Sequence, residues 1–467
     1  MLELTVVVCS TSGKPVFHAM VSATSTAPTC SSTEDDEMPS ATSFASSLQG
    51  LLSFVACTQQ EELQELQSHG CRCVFYSTQT LTFAAIERDV YSDQTDNTSS
   101  FSVTCLEHLL HLLQSQLRFL LSDQGLHVLQ RQPNYDLRQR LHGTERVTRS
   151  LTGLWAVHPT LRFKDFGVPF VRLQLARRRQ VTRMLAAAGE AETEHLTSAM
   201  ICAVLLAKEK VVAIAQPKKK QFSMRVDDLL LLINFVYHAP SLAASETWTP
   251  VCLPHFSPRG FLYAYVAFLT TDVCLLLLSS QPSPEQCPHF QAKKVFVARR
   301  LEDSGAMDDI RASLRNHSEW RPHRDLPLLL HFIYKNELTG ECAEPALGFP
   351  FDDADFHTRL QLLNAYATVH HLMFPSPADP HSLRASQVLG ERLLALQDDT
   401  AARMVYERSD TGLFVGMCST DYRLLVWFDA LVAIPDARQQ LQVVLDRIRH
   451  DEELMSVTLF VSSGGLA

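Results

Sequence analysis

Several groups of residues could carry chemistry by type, but none has the spacing of a catalytic motif. Gly13-Lys14 lacks the upstream glycine of a phosphate-binding loop, and the sequence contains no G-x-S-x-G, H-E-x-x-H or paired C-x-x-C. His108 and His111 lie one helical turn apart without a nearby cluster of acidic or cysteine ligands, which favours ordinary helix-surface histidines over a metal site. We therefore expect a protein without hydrolytic or covalent chemistry, without a cofactor and without a metal.

Basic residues are concentrated in three segments, 172–183, 208–220 and 293–300, although the formal net charge of the chain is −10. Such clusters favour a membrane-facing surface, because each basic residue near anionic lipid contributes ~1 kcal/mol. Solubilising linkers and hairpin tips are the alternative interpretation. The candidates for lipid binding are Arg177, Arg178, Arg179, Lys218, Lys219 and Lys220.

Composition places the chain among folded proteins without nucleic-acid partners. Hydrophobic residues make up 46% and charged residues 20% of the 467 residues, and the negative net charge is opposite to that of a typical nucleic-acid binder. The twelve cysteines lie mostly in apolar runs and are typical of reduced core thiols in the cytosol. The apolar runs are too short to cross a bilayer, so we expect a cytoplasmic protein.

Hydrophobic periodicity predicts three successive α/β units, because hairpins, amphipathic helices and short strands recur in a comparable order. Examples are a hairpin at Leu2–Ser22, a helix at Ala41–Gln60 and strands at Cys71–Ser77 and Gly412–Cys418. We expect largely antiparallel sheets with helices on both faces. The predicted divisions are 1–150 with an acidic disordered loop at about 23–40, a linker helix region with a basic cluster at 151–195, a second domain at 196–305 and a third at 325–467.

Two long strings of residues in the sequence carry a specific resemblance to a known family. The first comprises Leu129-Gln130-Arg131-Gln132-Pro133-Asn134-Tyr135-Asp136-Leu137-Arg138 and Leu141-His142-Gly143-Thr144-Glu145-Arg146. The second comprises Glu246-Thr247-Trp248-Thr249-Pro250-Val251-Cys252-Leu253-Pro254-His255-Phe256 with Gly260-Phe261-Leu262-Tyr263-Ala264-Tyr265. Both strings are similar to segments of the Mon family, also called the SAND family of vacuolar fusion proteins. Weaker similarity at Gly13–Phe17 and His331–Lys335 extends the resemblance over nearly the whole chain.

The resemblance implies three consecutive longin-like domains and a specific function. Members of the family pair with a Ccz-type subunit, and the first longin domains of the two subunits form a platform for a late-endosomal Rab GTPase. The implied activity is guanine-nucleotide exchange in endosome maturation and in vacuole, lysosome or autophagosome fusion. An early-endosomal Rab and anionic phosphoinositide membrane are further candidate partners, and recruitment to endosome or vacuole membranes is expected to be peripheral.

The resemblance also directs attention to one helix and one strand of the first unit. Helix Ala41–Gln60 and strand Cys71–Ser77 are the candidates for pairing with the partner subunit and for meeting the GTPase. The platform residues are Phe44, Leu48, Leu51, Cys71, Cys73 and Phe75. The alternative is that the apolar residues of this helix pack only on their own sheet.

Two classes of function remain open, because longin-like folds serve both. The first is the exchange-factor subunit. The second is a trafficking adaptor or tether that recruits a Rab without accelerating nucleotide release. Faster release of nucleotide from the Rab would distinguish the exchange-factor subunit from the adaptor or tether.

Overall fold

In the part of the chain that the structure describes, three mainly antiparallel sheets with one repeated strand order form the framework. The computed structural model describes residues 2–22, 38–68, 70–89, 103–163, 167–190, 200–216, 222, 224–282, 284–316, 326, 328–345, 356–374, 403–409 and 412–451. The acidic loop predicted at about 23–40 lies outside these residues, apart from 38–40, which begin the first helix.

The first sheet starts with a hairpin that turns at Gly13, whose φ of 84° is one that glycine adopts without strain. Its strands follow the order β2-β1-β5-β4-β3. They are β1 (Leu2–Ser10), β2 (Pro15–Ser22), β3 (Glu65–Ser68), β4 (Cys71–Ser77) and β5 (Leu81–Asp89). Side chains of β1 and β5 are buried on both faces, so both faces need a cover.

Helices α1 (Met38–Gln59) and α2 (Val103–Leu126) cover opposite faces of this sheet. Phe75 of β4 packs in a cluster with α1. Its neighbour Tyr76 points to the other face, where its ring centroid lies 4.2 Å from that of His111 on α2. Three further helices follow in the same part of the chain: α3 (Val128–Arg131), α4 (Arg138–Leu141) and α5 (Glu145–Val157).

Helix α2 is interrupted at Ser122, which has a φ of 59°. The backbone N–H of Asp123 donates instead to the carbonyl oxygen of Pro258 at 2.9 Å. Arg118 donates two hydrogen bonds to the Asp123 carboxylate, at 2.6 and 3.0 Å. The loop at 252–260 is thereby held on α2.

The second sheet is preceded by β6 (Val168–Pro169) and α6 (Leu175–Glu190) and has the order β8-β7-β11-β10-β9. Helices α6, α9 and α10 share a core with one face. On the other face, Tyr237 of α7 packs edge-on against Phe268 of β10. The elements are β7 (Met200–Ala207), β8 (Lys210–Ala215), α7 (Val226–His238), α8 (Pro240–Ala244), β9 (Thr247–Val251), β10 (Leu262–Phe268), β11 (Val273–Ser279), α9 (Cys287–Asp303) and α10 (Ala306–Asn316).

The third sheet has the order β14-β15-β16-β12-β13, with β6 added at the β13 edge. One face packs on α12 (Ile434–His450). On the other face, a Cβ added to Gly416 would lie 2.7 Å from Val369 Cγ1 on α11. The elements are β12 (Leu329–Asn336), β13 (Glu341–Ala343), α11 (Phe356–Met373), β14 (Arg403–Ser409), β15 (Gly412–Cys418), β16 (Tyr422–Phe428) and α12 (Ile434–His450).

A short strap at 168–171 joins the edges of the second and third sheets. Its residues pair in parallel with β13, Val168 with Glu341 and Pro169 with Cys342. Phe170 then bridges to Val211 of β8. Both sheets and the strap lie in one compact unit, which comprises Asp165–Val251, Phe261–Phe349 and Thr368–Ala467.

The other compact unit comprises Met1–Lys164, Cys252–Gly260 and Pro350–Ala367. Its core contains Arg162, which is 1% exposed and donates to the carbonyl oxygens of Trp155 at 3.3 Å and Ala156 at 2.8 Å. The same guanidinium donates to the Asn364 side chain on α11 at 3.4 Å. Within the described residues, no helix is both long enough and apolar enough to span a bilayer.

Candidate interaction surfaces

The inner face of α1 packs on the first sheet. Phe44 and Ala45 pack with Val7 and Ile86, and Leu48 is 6% exposed in a neighbouring cluster. Phe44 and Leu48 are therefore primarily core residues of their own domain. Contact of either residue with a partner stays a prediction.

The outer face of α1 carries exposed apolar side chains. Leu51 is 37% exposed and Phe54 is 65% exposed. Leu52 on the same helix packs in one cluster with Leu63, which leads directly into edge strand β3. On that strand, Leu66 is 40% exposed. We call Leu51, Phe54 and Leu66 the α1–β3 patch.

The remaining platform candidates lie beneath α1. Cys71 and Cys73 are half-buried on β4, with 3.9 Å between their Sγ atoms. Burial and the neighbouring Cys71 raise the pKa of the Cys73 thiol to about 12. Phe75 is 5% exposed. These three side chains thus support α1 from below, and β3 pairs with β4 at the sheet edge.

Two of the arginines predicted to bind lipid are engaged inside the protein. Arg178 is 5% exposed and donates to the carbonyl oxygens of Val212 at 2.8 Å and Val171 at 2.7 Å. Its burial removes it from the predicted lipid-binding cluster, which is a correction of the sequence interpretation. Arg177 is half-buried and pairs with Asp309 at 2.5 Å.

Arg179 and Arg183 remain as exposed cations on the outer side of α6. They lie one helical turn apart, and α6 packs along β8. Lys218, Lys219 and Lys220 lie outside the described residues, and in the sequence they follow the last residues of β8. Lipid binding by these residues stays a prediction.

Three of the four basic residues of α9 have polar partners within the protein. Lys293 is 9% exposed and donates to the carbonyl oxygen of Ala188 near the end of α6. Lys294 pairs with Glu246 at 2.5 Å, and Arg299 lies 3.7 Å from Asp303. The segment 293–300 is therefore a weaker candidate for an anionic surface than α6.

The string at 129–146 is anchored to the tip of the first hairpin. Ser12 Oγ donates to the carbonyl oxygen of Pro133 at 2.6 Å, and the Lys14 ammonium donates to that of Asn134. Arg138 donates to both carboxylate oxygens of Asp136, which lowers the pKa of that carboxyl. The string thus forms a braced surface loop.

The string at 246–265 has a structural role in this protein. Trp248 stacks on Tyr263 at a centroid distance of 6.0 Å and packs edge-on against Phe290 of α9. The Tyr265 hydroxyl donates to the Glu246 carboxylate, and burial is the largest cause raising the pKa of Tyr265. These contacts join edge strand β9 to β10 and α9.

Phe54 and Leu66 were missed by the sequence interpretation. Phe54 lies three residues after Leu51, so helical spacing could have placed it on the same side. Leu66 belongs to β3, whose four residues are exposed and carry no hydrophobic alternation. Only the sheet pairing of Leu66 with Cys73 places this leucine on the face of the sheet that α1 covers.

Sequence comparisons assign each sheet to a known type of domain. Residues 4–151, 199–296 and 328–452 match the first, second and third Longin domains of FUZ, MON1 and HPS1, respectively. The three matched ranges contain the three sheets in chain order, apart from the first two residues of β1 and the added strand β6. The chain is a protein of three longin domains, which confirms the predicted fold class.

The chain belongs to the family of FUZ, MON1 and HPS1 longin proteins and, within it, groups with the Mon/SAND proteins. It is 30% identical over 322 residues to vacuolar fusion protein MON1 homolog A of Bos taurus, covering 68% of this chain and 54% of the relative. The Homo sapiens homolog A is 30% identical, with coverage of 68% and 46%. Protein SAND of Takifugu rubripes is 27% identical, with coverage of 70% and 59%. The matches thus span about half the length of these relatives.

Proposed function

We propose that this chain is one subunit of a two-chain guanine-nucleotide exchange factor for a Rab GTPase of late endosomes or vacuoles. Its relatives are named vacuolar fusion proteins, which supports a role in membrane trafficking. The observation that carries the proposal is the α1–β3 patch on the first longin domain. Pairing with a Ccz-type longin subunit would cover this patch.

Exchange requires differential binding and no reacting group on the protein. A Rab holds its nucleotide through a phosphate-binding loop, Mg²⁺ and ordered switch segments. A surface that binds the switches in a nucleotide-free arrangement weakens nucleotide binding by the same coupling factor. A surface with equal affinity for both states shifts nothing, so the proposed activity depends on preference for the open GTPase.

The α1–β3 patch fits a protein partner because it combines apolar side chains with an open strand edge. Phe54 and Leu51 form the exposed apolar stripe of α1, and β3 ends the described sheet next to it. Exposed apolar patches and unpaired strand edges are both used for association in soluble proteins. A partner longin domain would bury Phe54 and continue the surface across two chains, where the GTPase would bind.

Membrane recruitment would use a separate part of the chain. Arg179 and Arg183 are exposed on α6, and the lysines at 218–220 lie in the segment after β8. Basic residues near anionic lipid each contribute ~1 kcal/mol, so five of them are enough for reversible peripheral binding. This arrangement supports phosphoinositide-bearing endosomal or vacuolar membrane as the site of action.

The test is release of a fluorescent GDP analogue from a late-endosomal Rab. The reaction is followed with this chain alone, with a Ccz-type subunit alone and with both together. We expect fast release only with the pair, because the proposed site spans two chains. Stable binding of the Rab without faster release would instead make the protein an adaptor or tether. Fast release by the isolated chain would contradict the two-chain site.

A further inference from the structure

Arginine is concentrated on one braced segment of the first longin domain that the proposed function does not use. Residues 131–149 contain five arginines, no lysine and two carboxylates, Asp136 and Glu145, in a chain of net charge −10. The arginines are Arg131, Arg138, Arg140, Arg146 and Arg149. Together with Lys14 of the adjoining hairpin tip, we call them the arginine surface.

Most of these cations are available to a ligand. Arg138 is occupied by Asp136. Arg131, Arg140 and Arg146 are exposed, and among the described residues neither Arg131 nor Arg146 forms an ion pair or a hydrogen bond. Arg140 lies 5.6 Å from the centroid of the Tyr135 ring and donates to its hydroxyl at 3.3 Å. The segment therefore has uncompensated positive charge.

The backbone beneath these cations is fixed by contacts that do not use their charge. Ser12 binds the carbonyl oxygen of Pro133 at 2.6 Å, and Leu137 and Leu141 are buried under the loop. On α5, Val147 and Leu151 are buried, which directs Arg146 and Arg149 outward. A surface held in place loses less conformational entropy when it binds a ligand.

We propose that the arginine surface docks a carboxylate-rich peptide segment of a partner protein. The planar guanidinium group matches a carboxylate with two parallel hydrogen bonds, which a lysine ammonium group does not. Arginine outnumbers lysine five to one on this surface, so it suits bidentate anions such as carboxylates. Within residues 127–149 no large hydrophobic side chain is exposed, so the segment lacks an apolar anchor for insertion into a bilayer. The segment thus complements an acidic peptide by charge and hydrogen-bonding geometry, and it has no large exposed apolar side chain that would insert into a membrane.

The experiment measures binding of a short fluorescein-labelled peptide of alternating glutamate and serine to the whole chain by fluorescence anisotropy. The test variant carries Arg131→Gln, Arg140→Gln and Arg146→Gln. The matched control carries Arg225→Gln, Arg299→Gln and Arg311→Gln, three exposed arginines elsewhere with the same change in net charge. We expect the test variant to bind about tenfold more weakly and the control to bind within about twofold of the unmodified chain.

A variant without a change in charge tests whether the fixed backbone of the segment contributes to binding. Ser12→Ala removes the hydroxyl that donates to Pro133 without altering any charge. Loss of this brace should weaken binding severalfold, whereas thermal unfolding of the variant should stay close to that of the unmodified chain. Affinity should also fall steeply with added NaCl, because exposed ion pairs are screened by salt.

Four outcomes would overturn the proposal. The first is equal weakening by the test and control variants, which would indicate diffuse attraction, and the second is no binding at low salt. The third is arginine-dependent binding of phosphatidylserine vesicles but not of the peptide, which would make the segment a lipid surface. The fourth is peptide binding only after Glu34, Asp35, Asp36 and Glu37 are replaced by glutamine, which would make this chain's own acidic segment the occupant.

Discussion

Replacing Glu344 with glutamine should change the pH dependence of stability. Oε2 of Glu344 is shielded from solvent and has no hydrogen-bond partner among the described residues, although the residue as a whole is half-buried. Burial raises the pKa of this carboxyl from 4.5 to about 7, with Lys210 acting in the opposite direction. Burial likewise lowers the pKa of Lys210 to about 8, and Arg172 lowers it further. Arg178, Glu341, Lys335 and Asp451 are further charged groups near this junction of β8, β13 and the strap.

The raised pKa of Glu344 determines the direction in which stability changes with pH. A carboxyl group that binds its proton more tightly in the folded protein stabilises the fold most when it is protonated. This stability is present below about pH 4.5 and is lost as the pH rises through about 7. The difference between a pKa of 4.5 and one of about 7 corresponds to ~3 kcal/mol, and the attraction of Lys210 is already included in it. Glu344→Gln removes the titration, so the variant should gain stability relative to the unmodified chain as the pH rises.

Denaturant unfolding of both proteins between about pH 5 and about pH 8 measures this difference. The free energy of unfolding of the variant, minus that of the unmodified chain, should rise by up to ~3 kcal/mol across the range. Glu302→Gln, which changes an exposed carboxylate on α9, is the control and should show no comparable rise. A constant or falling difference for Glu344→Gln would refute the reasoning.

Two further substitutions test the cores of the compact units. Arg162→Met should lower the free energy of unfolding by about 3 kcal/mol, because it removes donors from two buried carbonyl groups, and a loss below about 1 kcal/mol in calorimetry would contradict the role of this guanidinium. Gly416→Ala should cost about 1–3 kcal/mol, because the new Cβ would lie 2.7 Å from Val369 Cγ1. Gly50→Ala on α1 is the matched control, because a Cβ at this position meets no atom within 4 Å. This substitution should stabilise the protein by up to about 1 kcal/mol. Equal effects of the two glycine substitutions in thermal unfolding would be inconsistent with the packing at Gly416.

Sequence periodicity predicted the elements that are long and regularly patterned. Strands Cys71–Ser77 and Gly412–Cys418 were placed with their observed bounds, and the helix predicted at Ala41–Gln60 is α1, Met38–Gln59. Strands β3 and β13 were missed, because both are too short to show a hydrophobic pattern. Strand β3 has four exposed, mostly polar residues, and β13 has three residues. The strap at 168–171 contains a proline and pairs with strands far away in the sequence, so no local pattern indicates it.

The candidate surfaces were harder to predict, because helical spacing does not say which side of a helix meets the sheet. Apolar residues of α1 cover more than one stripe, so Phe44 and Leu51 looked equivalent in the sequence, whereas one is packed and the other is exposed. Arg178 and Arg179 are neighbours in one basic run, yet only Arg178 is buried. Tertiary packing decides such cases.

The most direct test of the proposed function is the affinity of this chain for a Ccz-type subunit after its exposed helix stripe is changed. Leu51→Ser with Phe54→Ser should weaken pairing by about thirtyfold or more, since buried apolar anchors at interface centres contribute about 2 kcal/mol or more. Val295→Ser, at a site that is 62% exposed on α9, is the control and should leave pairing unchanged. Sedimentation or titration calorimetry gives both affinities, with circular dichroism to verify the fold. Undiminished pairing of the double variant would contradict the assignment of α1 as the partner-facing helix.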